Sequence, residues 1–200
     1  MDNWKPVPPT PSNLGDRDLP QLSDALKGRE IALLVSGSIA AFKTPMVARQ
    51  LRRHGAEVTA YVSKSALRYV AAEALVWSCN QPVITELSAE AEHLSDTRPF
   101  DAYLLAPATY NSINKLATGI ADTVITSALA AALGRVSQGN AKLLIAPAMH
   151  GTLHNSIFEA SINRLQQMGV QVIPPRDAYG KHNLPDEQTL VNAVIEALNS

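Results

Sequence analysis

Small residues, hydroxyls and amides gather directly after the apolar runs of this sequence. Gly37 and Ser38 follow the run Ile31–Val35, in SGSIAAFK. A small residue and a hydroxyl there let a phosphate approach the backbone amides that open the next helix. Taken alone, the loop reads as a tight turn with Ser38 as its N-cap. It is neither GxGxxG nor GxxxxGK(S/T), so the dinucleotide and P-loop readings lose their main support. Ser63 closes the second run, Glu57–Val62. Two strand-end hydroxyls can share one phosphate, although each is equally suited to capping a helix. The densest polar stretch is APATYNSINKLATGIAD, Ala106–Asp122. Beside Ala108, Thr109 and Asn111 offer hydroxyl and amide groups suited to a polar ring edge or a ribityl chain. Asn114 and Lys115 equally suit an exposed helix face.

These residues need a scaffold that brings strand ends to one rim. From Glu30 onward, short apolar runs alternate with longer amphipathic stretches, the pattern of parallel strands joined by crossover helices. IALLV leads through PMVARQLRRHG, where Met46, Val47 and Leu51 share a helical face and Gly55 supplies the stop. EVTAYV leads into KSALRYVAAEAL, with Leu67, Val70, Ala71 and Leu75 on one face. DAYLLAPA is followed by helical sequence from Asn111 through Leu133; KLLIAPAM and VQVIPP complete four or five strands. The expectation is a single Rossmann-like (flavodoxin-like) three-layer α/β domain with a parallel sheet, over residues 29–200. Ligands of such sheets bind at the carboxyl ends of the strands. Residues 1–28, interrupted by Pro6, Pro8, Pro9, Pro11 and Pro20, read as an extended arm, either a disordered leader or a segment that packs on a neighbouring subunit. Trp4 is the residue of the arm that suggests docking.

Composition narrows the function classes. The chain is 46% hydrophobic and 18% charged, enough apolar residue to build a core. Lys and Arg number 17 against 18 Asp and Glu, for a net charge of −1, without the basic footprint of a nucleic-acid binder. A lone cysteine, Cys79, forms no intramolecular disulfide and no cysteine-based zinc site, so no metal is expected and a reducing, cytoplasmic setting fits. No apolar stretch approaches a membrane span, and the start has no basic region followed by an apolar one, so neither secretion nor membrane insertion is expected.

SGSIAAFK after the first strand, PATYNSINKLATGIAD after the third and PAMHGTL (Pro147–Leu153) after the fourth together resemble the homo-oligomeric flavin-containing cysteine decarboxylases. That family includes phosphopantothenoylcysteine decarboxylase and the peptidyl-cysteine decarboxylases of lantibiotic maturation. The likeness covers Glu30–Asn199. It implies FMN at a subunit interface of a trimer, or of a dodecamer built of trimers. Gly37, Ser38 and Ser63 then correspond to the phosphate contacts, and Ala108, Thr109 and Asn111 to the neighbours of the ribityl chain and isoalloxazine. The family's catalytic histidine precedes the Asp that starts the third strand by eight residues, as His93 precedes Asp101. The resemblance makes His93 a base that leans over the flavin of a neighbouring subunit. Without it, His93 reads as a solvated loop residue.

Two departures bear on the reaction. The family's PAMN phrase holds the substrate carboxylate through its Asn, and His150 stands in that place, as a provisional carboxylate anchor. Phosphopantothenoylcysteine decarboxylase carries a Cys beside Gly in a flap, as the acid whose proton completes reduction of its enethiol intermediate; here Tyr179 precedes Gly180, and a phenol is the poorer proton donor. Cys79, in WSCN, reads as a small buried apolar residue rather than a substitute. The expected function is oxidative decarboxylation of a cysteine-containing small molecule or peptide. The alternatives are an FMN-dependent reductase of a non-thiol substrate and a non-catalytic binding or regulatory subunit. Substrate choice is expected to reside in a mobile loop near Ala178–Pro185.

Overall fold

The computed structural model describes residues 5–94 and 98–200; Trp4 lies outside them. The chain forms β1 (Glu30–Val35), α1 (Thr44–Arg53), β2 (Glu57–Val62), α2 (Ala72–Cys79), β3 (Ala102–Ala108), α3 (Tyr110–Thr118), α4 (Val124–Ser137), β4 (Lys142–Pro147), β5 (Met149–His150), α5 (Ser156–Gln167), β6 (Gln171–Val172), β7 (Arg176–Ala178), β8 (Lys181–Asn183) and α6 (Glu187–Asn199). Five parallel strands make the central sheet in the order β2-β1-β3-β4-β6. Both faces of the sheet are covered, so its strands are apolar on both sides and read as continuous runs. Ile31, Leu33, Val35, Leu104 and Ala106 pack with α1, α2 and α6 in one core. Ala32, Leu34, Tyr103, Leu105 and Ile145 pack with α3, α4 and α5 in the other. The three-layer α/β expectation therefore holds, with five sheet strands.

Local chemistry departs from the simple periodic reading in four places. Ser63 Oγ accepts from Ala66 N, and the chain makes only a short 3-10 turn at Ala66–Arg68 before Ala71 swings into the extended region and α2 starts at Ala72. KSALRYVAAEAL is thus not one helix, and Leu67 is exposed while Leu75 is buried. On α1, Val47 and Leu51 are buried but Met46 is not. The helix expected from Asn111 to Leu133 is two. Gly119, with φ +75°, ends α3 in the left-handed conformation, and Thr123 and Thr126 form a reciprocal capping box that starts α4. Fourth, the loop expected to be mobile near Ala178–Pro185 contains half of a hairpin. β7 and β8 pair antiparallel around Tyr179 and Gly180, both at positive φ, and β8 pairs with β5 to form a small second sheet.

The second half of the Pro-rich segment packs on its own chain. Leu22 N and Leu26 N donate to the carbonyls of Arg53 (2.7 Å) and His54 (2.8 Å) at the end of α1, and Ser23 Oγ bonds His54 Nδ1 at 2.7 Å. These carbonyls belong to a helix terminus that has no internal donors for them. Leu26 is fully buried in the core beneath α1. Upstream, the Arg17 guanidinium stacks 5.6 Å over the Trp77 ring. Truncating Leu26 to Ala removes a core side chain and is expected to cost about 2–5 kcal/mol. Urea unfolding of the variant measures this, and a loss below about 0.5 kcal/mol would assign these residues to a dispensable leader.

Candidate functional site

In this strand order, β1 is followed outward by β2 on one side while the chain returns to β3 on the other, and the crevice between the β1 and β3 ends is the topological switch point. Ser36, buried at the tip of β1, bridges it. Its Oγ donates to the carbonyl of Pro107 at 2.6 Å and accepts from Thr109 N at 3.2 Å. A cleft of about 480 Å³ opens here, lined by Ser36, Gly37, Ser38, Ser63, Ser65, Thr109, Tyr110, Asn111, Ser112, Thr123, Ile125, Thr126, Ala148, Met149 and Leu153.

Five of the residues singled out in the sequence, Gly37, Ser38, Ser63, Thr109 and Asn111, therefore meet in one cleft, although they come from three different strand ends. Ala108 does not line it; it is fully buried in β3, where its carbonyl accepts from Ala148 N. Neither histidine lines it. His93 lies half-buried in the turn after Ser88, which is pinned by Glu92 bonding the amide and hydroxyl of Ser88, while the Tyr61 hydroxyl donates to the Glu92 carbonyl. The Nδ1 atom of His93 is buried and without a hydrogen-bond partner among the described residues. His150 is exposed on β5, one residue from Met149, which does reach the cleft. Sequence reasoning missed Ser36, Ser65, Thr123 and Thr126. The last two were signalled by a Thr three residues before another Thr at a helix start.

Among the described residues, no charged side chain lines the cleft. Its electrostatics come instead from helix N-termini, since three capping residues, Ser38, Thr109 and Thr123, are all wall residues. The caps keep a donor in reserve. Ser38 Oγ accepts from Ala40 N and Ser63 Oγ from Ala66 N, so each hydroxyl proton remains free for an incoming acceptor. The Ser65 hydroxyl and the Asn111 carboxamide make no hydrogen bond to other described residues, which leaves both to a ligand. Gly37 is required by close approach: a Cβ there would lie 2.4 Å from Ser65 Cβ. Hydroxyls, an amide and helix N-termini, combined with the apolar Ile125, Met149 and Leu153, fit an anionic group joined to a flat ring.

Charges stand at the rim and are paired. Lys64 and Glu86 meet at 2.7 Å, a contact that holds the Glu86 carboxyl below and the Lys64 ammonium above their usual ranges. Lys115 bonds Asp122 at 2.6 Å and holds that carboxyl below the usual carboxylate range. Asn114 is no free helix surface. Its Oδ1 accepts from Ser161 Oγ at 2.6 Å, tying α3 to α5, and its Nδ2 is buried without a partner among the described residues.

The model of the Flavoprotein family matches residues 20–199. The chain belongs to this family. Among curated relatives, the flavoprotein is 36% identical over 182 residues to the coenzyme A biosynthesis bifunctional protein CoaBC of Thermococcus kodakarensis, a match covering 88% of this chain and 44% of the relative. The chain thus spans less than half the length of that protein. It is 29% identical to a probable phosphopantothenoylcysteine decarboxylase of Streptococcus mutans, over 85% of this chain and 99% of that one. Among solved structures, the flavoprotein superposes with a TM-score of 0.73 on the FMN-dependent cysteine decarboxylase SpaF, at 22% identity, over 88% of this chain and 97% of the other. The fold of the site is therefore the fold of this family.

Cys79 takes no part in the cleft. It is buried at the end of α2, and burial pushes its thiol up to about 12. The fold accepts only the neutral thiol, so Cys79 lowers stability as pH rises above the usual thiol range and has no effect below it. Native protein at pH near 8 is expected to resist iodoacetamide, whereas urea-unfolded protein is alkylated once per chain. Native alkylation at the unfolded rate would show that the α2 end opens freely.

Proposed function

We propose that this flavoprotein binds FMN in the switch-point cleft and catalyses oxidative decarboxylation of a cysteine-containing substrate, a small phosphopantothenoylcysteine-like molecule or a peptidyl cysteine. The observation that carries the reading is the convergence of Gly37, Ser38, Ser63, Thr109 and Asn111 on one neutral, donor-rich cleft with apolar walls. Family membership and the names of the relatives support it. FMN, when bound, supplies the two-electron oxidation at the Cβ–S bond that precedes loss of carbon dioxide and leaves an enethiol.

The chain's own residues then have distinct tasks. The hydroxyls of Ser38 and Ser63 donate to phosphate oxygens, beside helix amides that favour negative charge. Thr109 and Asn111 meet the polar edge of the ribityl chain and ring. Ile125, Met149 and Leu153 exclude water from the ring. His93, half-buried and off the cleft of its own chain, is assigned to the site of a neighbouring subunit, where it takes the thiol proton. That assignment entails self-association, and the resemblance to the family's homo-oligomers supports a trimer or a dodecamer of trimers. A cytoplasmic setting is supported by a buried reduced cysteine, and no helix among the described residues is long and apolar enough to cross a membrane.

His150 retains the capability its position needs. Thr152 N donates to its Nδ1 at 3.2 Å, and the Thr152 hydroxyl lies 2.9 Å from the same atom. With Nδ1 occupied as an acceptor, the hydrogen-bond network assigns the proton to Nε2. Nε2–H is a donor for a substrate carboxylate, as an Asn amide would be. Tyr179 bears on where the reaction ends: at 92% exposure on the hairpin tip it is a solvated phenol, poorly suited to finish a reduction. A reaction that stops at the enethiol fits this residue.

Purified protein is expected to be yellow or to take up one FMN per chain, and to decarboxylate a cysteine-ended compound anaerobically with flavin bleaching. Colourless protein that binds no FMN would sink the proposal; flavin that stays oxidised with every thiol tried would move the function to a non-thiol substrate or a binding role. His93→Asn should retain FMN and lose turnover by at least about a hundredfold. Asn111→Asp should weaken FMN retention by about tenfold or more, because a carboxylate then faces the acceptor edge of the ring.

A further inference from the structure

Outside the cleft, four titratable side chains stand in a row. Asp177 Oδ1 lies 2.6 Å from His182 Nδ1; His182 Nε2 lies 2.8 Å from His154 Nδ1; His154 Nε2 lies 3.1 Å from Glu159 Oε1. The row joins β7, β8, the residue before the α5 cap and the first turns of α5. Phe158 stacks 6.2 Å from His182 and meets His154 edge-on at 5.3 Å, closing one side.

Proton counting fixes what this row can be. Three hydrogen bonds need three protons, and two imidazoles offer four nitrogens. Two neutral rings carry two protons and leave one bond unmade; two imidazolium rings carry four and set two N–H groups against each other in the central contact. With both carboxyls ionised, only the pair carrying one positive charge satisfies every bond. The alternative occupant of two converging imidazoles is a metal ion, which would sit off the line between the rings. Here the centroids are 5.1 Å apart, the N···N distance plus the two ring radii, so both nitrogens lie on the line joining the rings. That is the geometry of a linear N–H···N bond. Among the described residues no three or more His, Cys, Asp or Glu side chains, this row included, are placed so that they could hold one metal ion.

We infer that Asp177, His182, His154 and Glu159 form a latch that holds the β7–β8 hairpin shut while the two imidazoles share a single extra proton and loosens it when that proton is lost or a second one is gained. The latch bears on the cleft through the backbone, because His182 pairs with Met149 in the small sheet and Met149 lines the cleft. The hairpin tip closes the same contact, with Gly151 N donating to the Gly180 carbonyl at 2.9 Å. The other titratable groups on the elements packed here are Arg176, Lys181, Tyr179, His150, Arg164, Tyr110 and Lys115. None bonds to either imidazole, and Arg176 lies within electrostatic reach of Asp186 instead. This inference does not depend on any cofactor.

Hydrogen–deuterium exchange of the 200-residue chain tests it, with the Gly151 amide as the reporter of hairpin closure. Protein treated with a chelator is followed from about pH 4.5 to 9, a range that spans imidazole titration. After correction for intrinsic exchange, protection at Gly151 is expected to peak within the range and to fall by about tenfold or more toward both ends. The core amides of Leu33 and Leu104 serve as controls for global stability. His154→Ala should flatten the profile. Glu159→Gln keeps the acceptor but removes a negative charge, so the whole peak should move to lower pH, a shift that a merely structural contact would not produce. A flat or one-sided profile in the unaltered protein, an unmoved peak in Glu159→Gln, or restored protection on adding zinc would each overturn the latch.

Discussion

The hydroxyl of Ser36 holds the two halves of the sheet rim together, and the cleft depends on it. Beyond Leu34 and Leu105 the parallel ladder between β1 and β3 stops, and Pro107 has no N–H with which to continue it. A buried side chain replaces the missing rungs: Ser36 Oγ gives its proton to the Pro107 carbonyl and takes one from Thr109 N. A hydroxyl removed from water without partners would cost about 1–3 kcal/mol, so its two bonds are the condition for placing it there. They also set the start of α3. Thr109 caps that helix and lines the cleft, so one hydroxyl determines where a helix N-terminus points.

A site without fixed charge follows from this layout. Lysines are available nearby, but Lys64 and Lys115 are each committed to a carboxylate at the rim. An anion in the cleft therefore meets backbone amides, hydroxyl protons and the positive ends of helices, groups already oriented by capping and by the sheet. Preorganised dipoles of this kind need no rearrangement on binding and leave neutral walls that accept a flat apolar ring. The same capping hydroxyls stabilise the empty fold. Ser38 and Ser63 illustrate that the capping role and the ligand role are compatible: a hydroxyl that accepts from its own helix still has its proton to give.

Most of the fold was legible because both faces of a covered parallel sheet demand apolar runs, and those runs are distinct in the sequence. The cleft was legible for the related reason that strand ends share a rim. What periodicity could not resolve were interruptions shorter than a turn. The apolar spacing runs on through Gly119–Thr123, and only the left-handed Gly119 and the Thr123–Thr126 pair break the helix there. The hairpin was read as a loop because β7 and β8 are three residues each, too short for alternation to show, and because a Tyr occupies a positive-φ turn position usually taken by Asn or Gly. His93 marks a different boundary. Its spacing from Asp101 is readable in one dimension, whereas the role proposed for it belongs to a neighbour's site and not to the cleft of its own chain.

The two short strands that periodicity missed are also the ones whose pairing energy is smallest. Three-residue strands on an exposed edge bury little apolar surface, and an isolated hairpin is marginal in water. This one is held by contacts outside its own ladder: the Gly151–Gly180 bond, Asn183 Nδ2 donating to the carbonyls of Arg176 and Ala178, and the row of charged and imidazole groups that joins it to α5. Because the strand it leans on, β5, continues directly from the end of β4 into the cleft wall at Met149, any change in hairpin closure is felt at the cavity rather than in the core. The rigid sheet fixes where ligand atoms can sit, and the weakly paired appendage beside it is where access to them can vary.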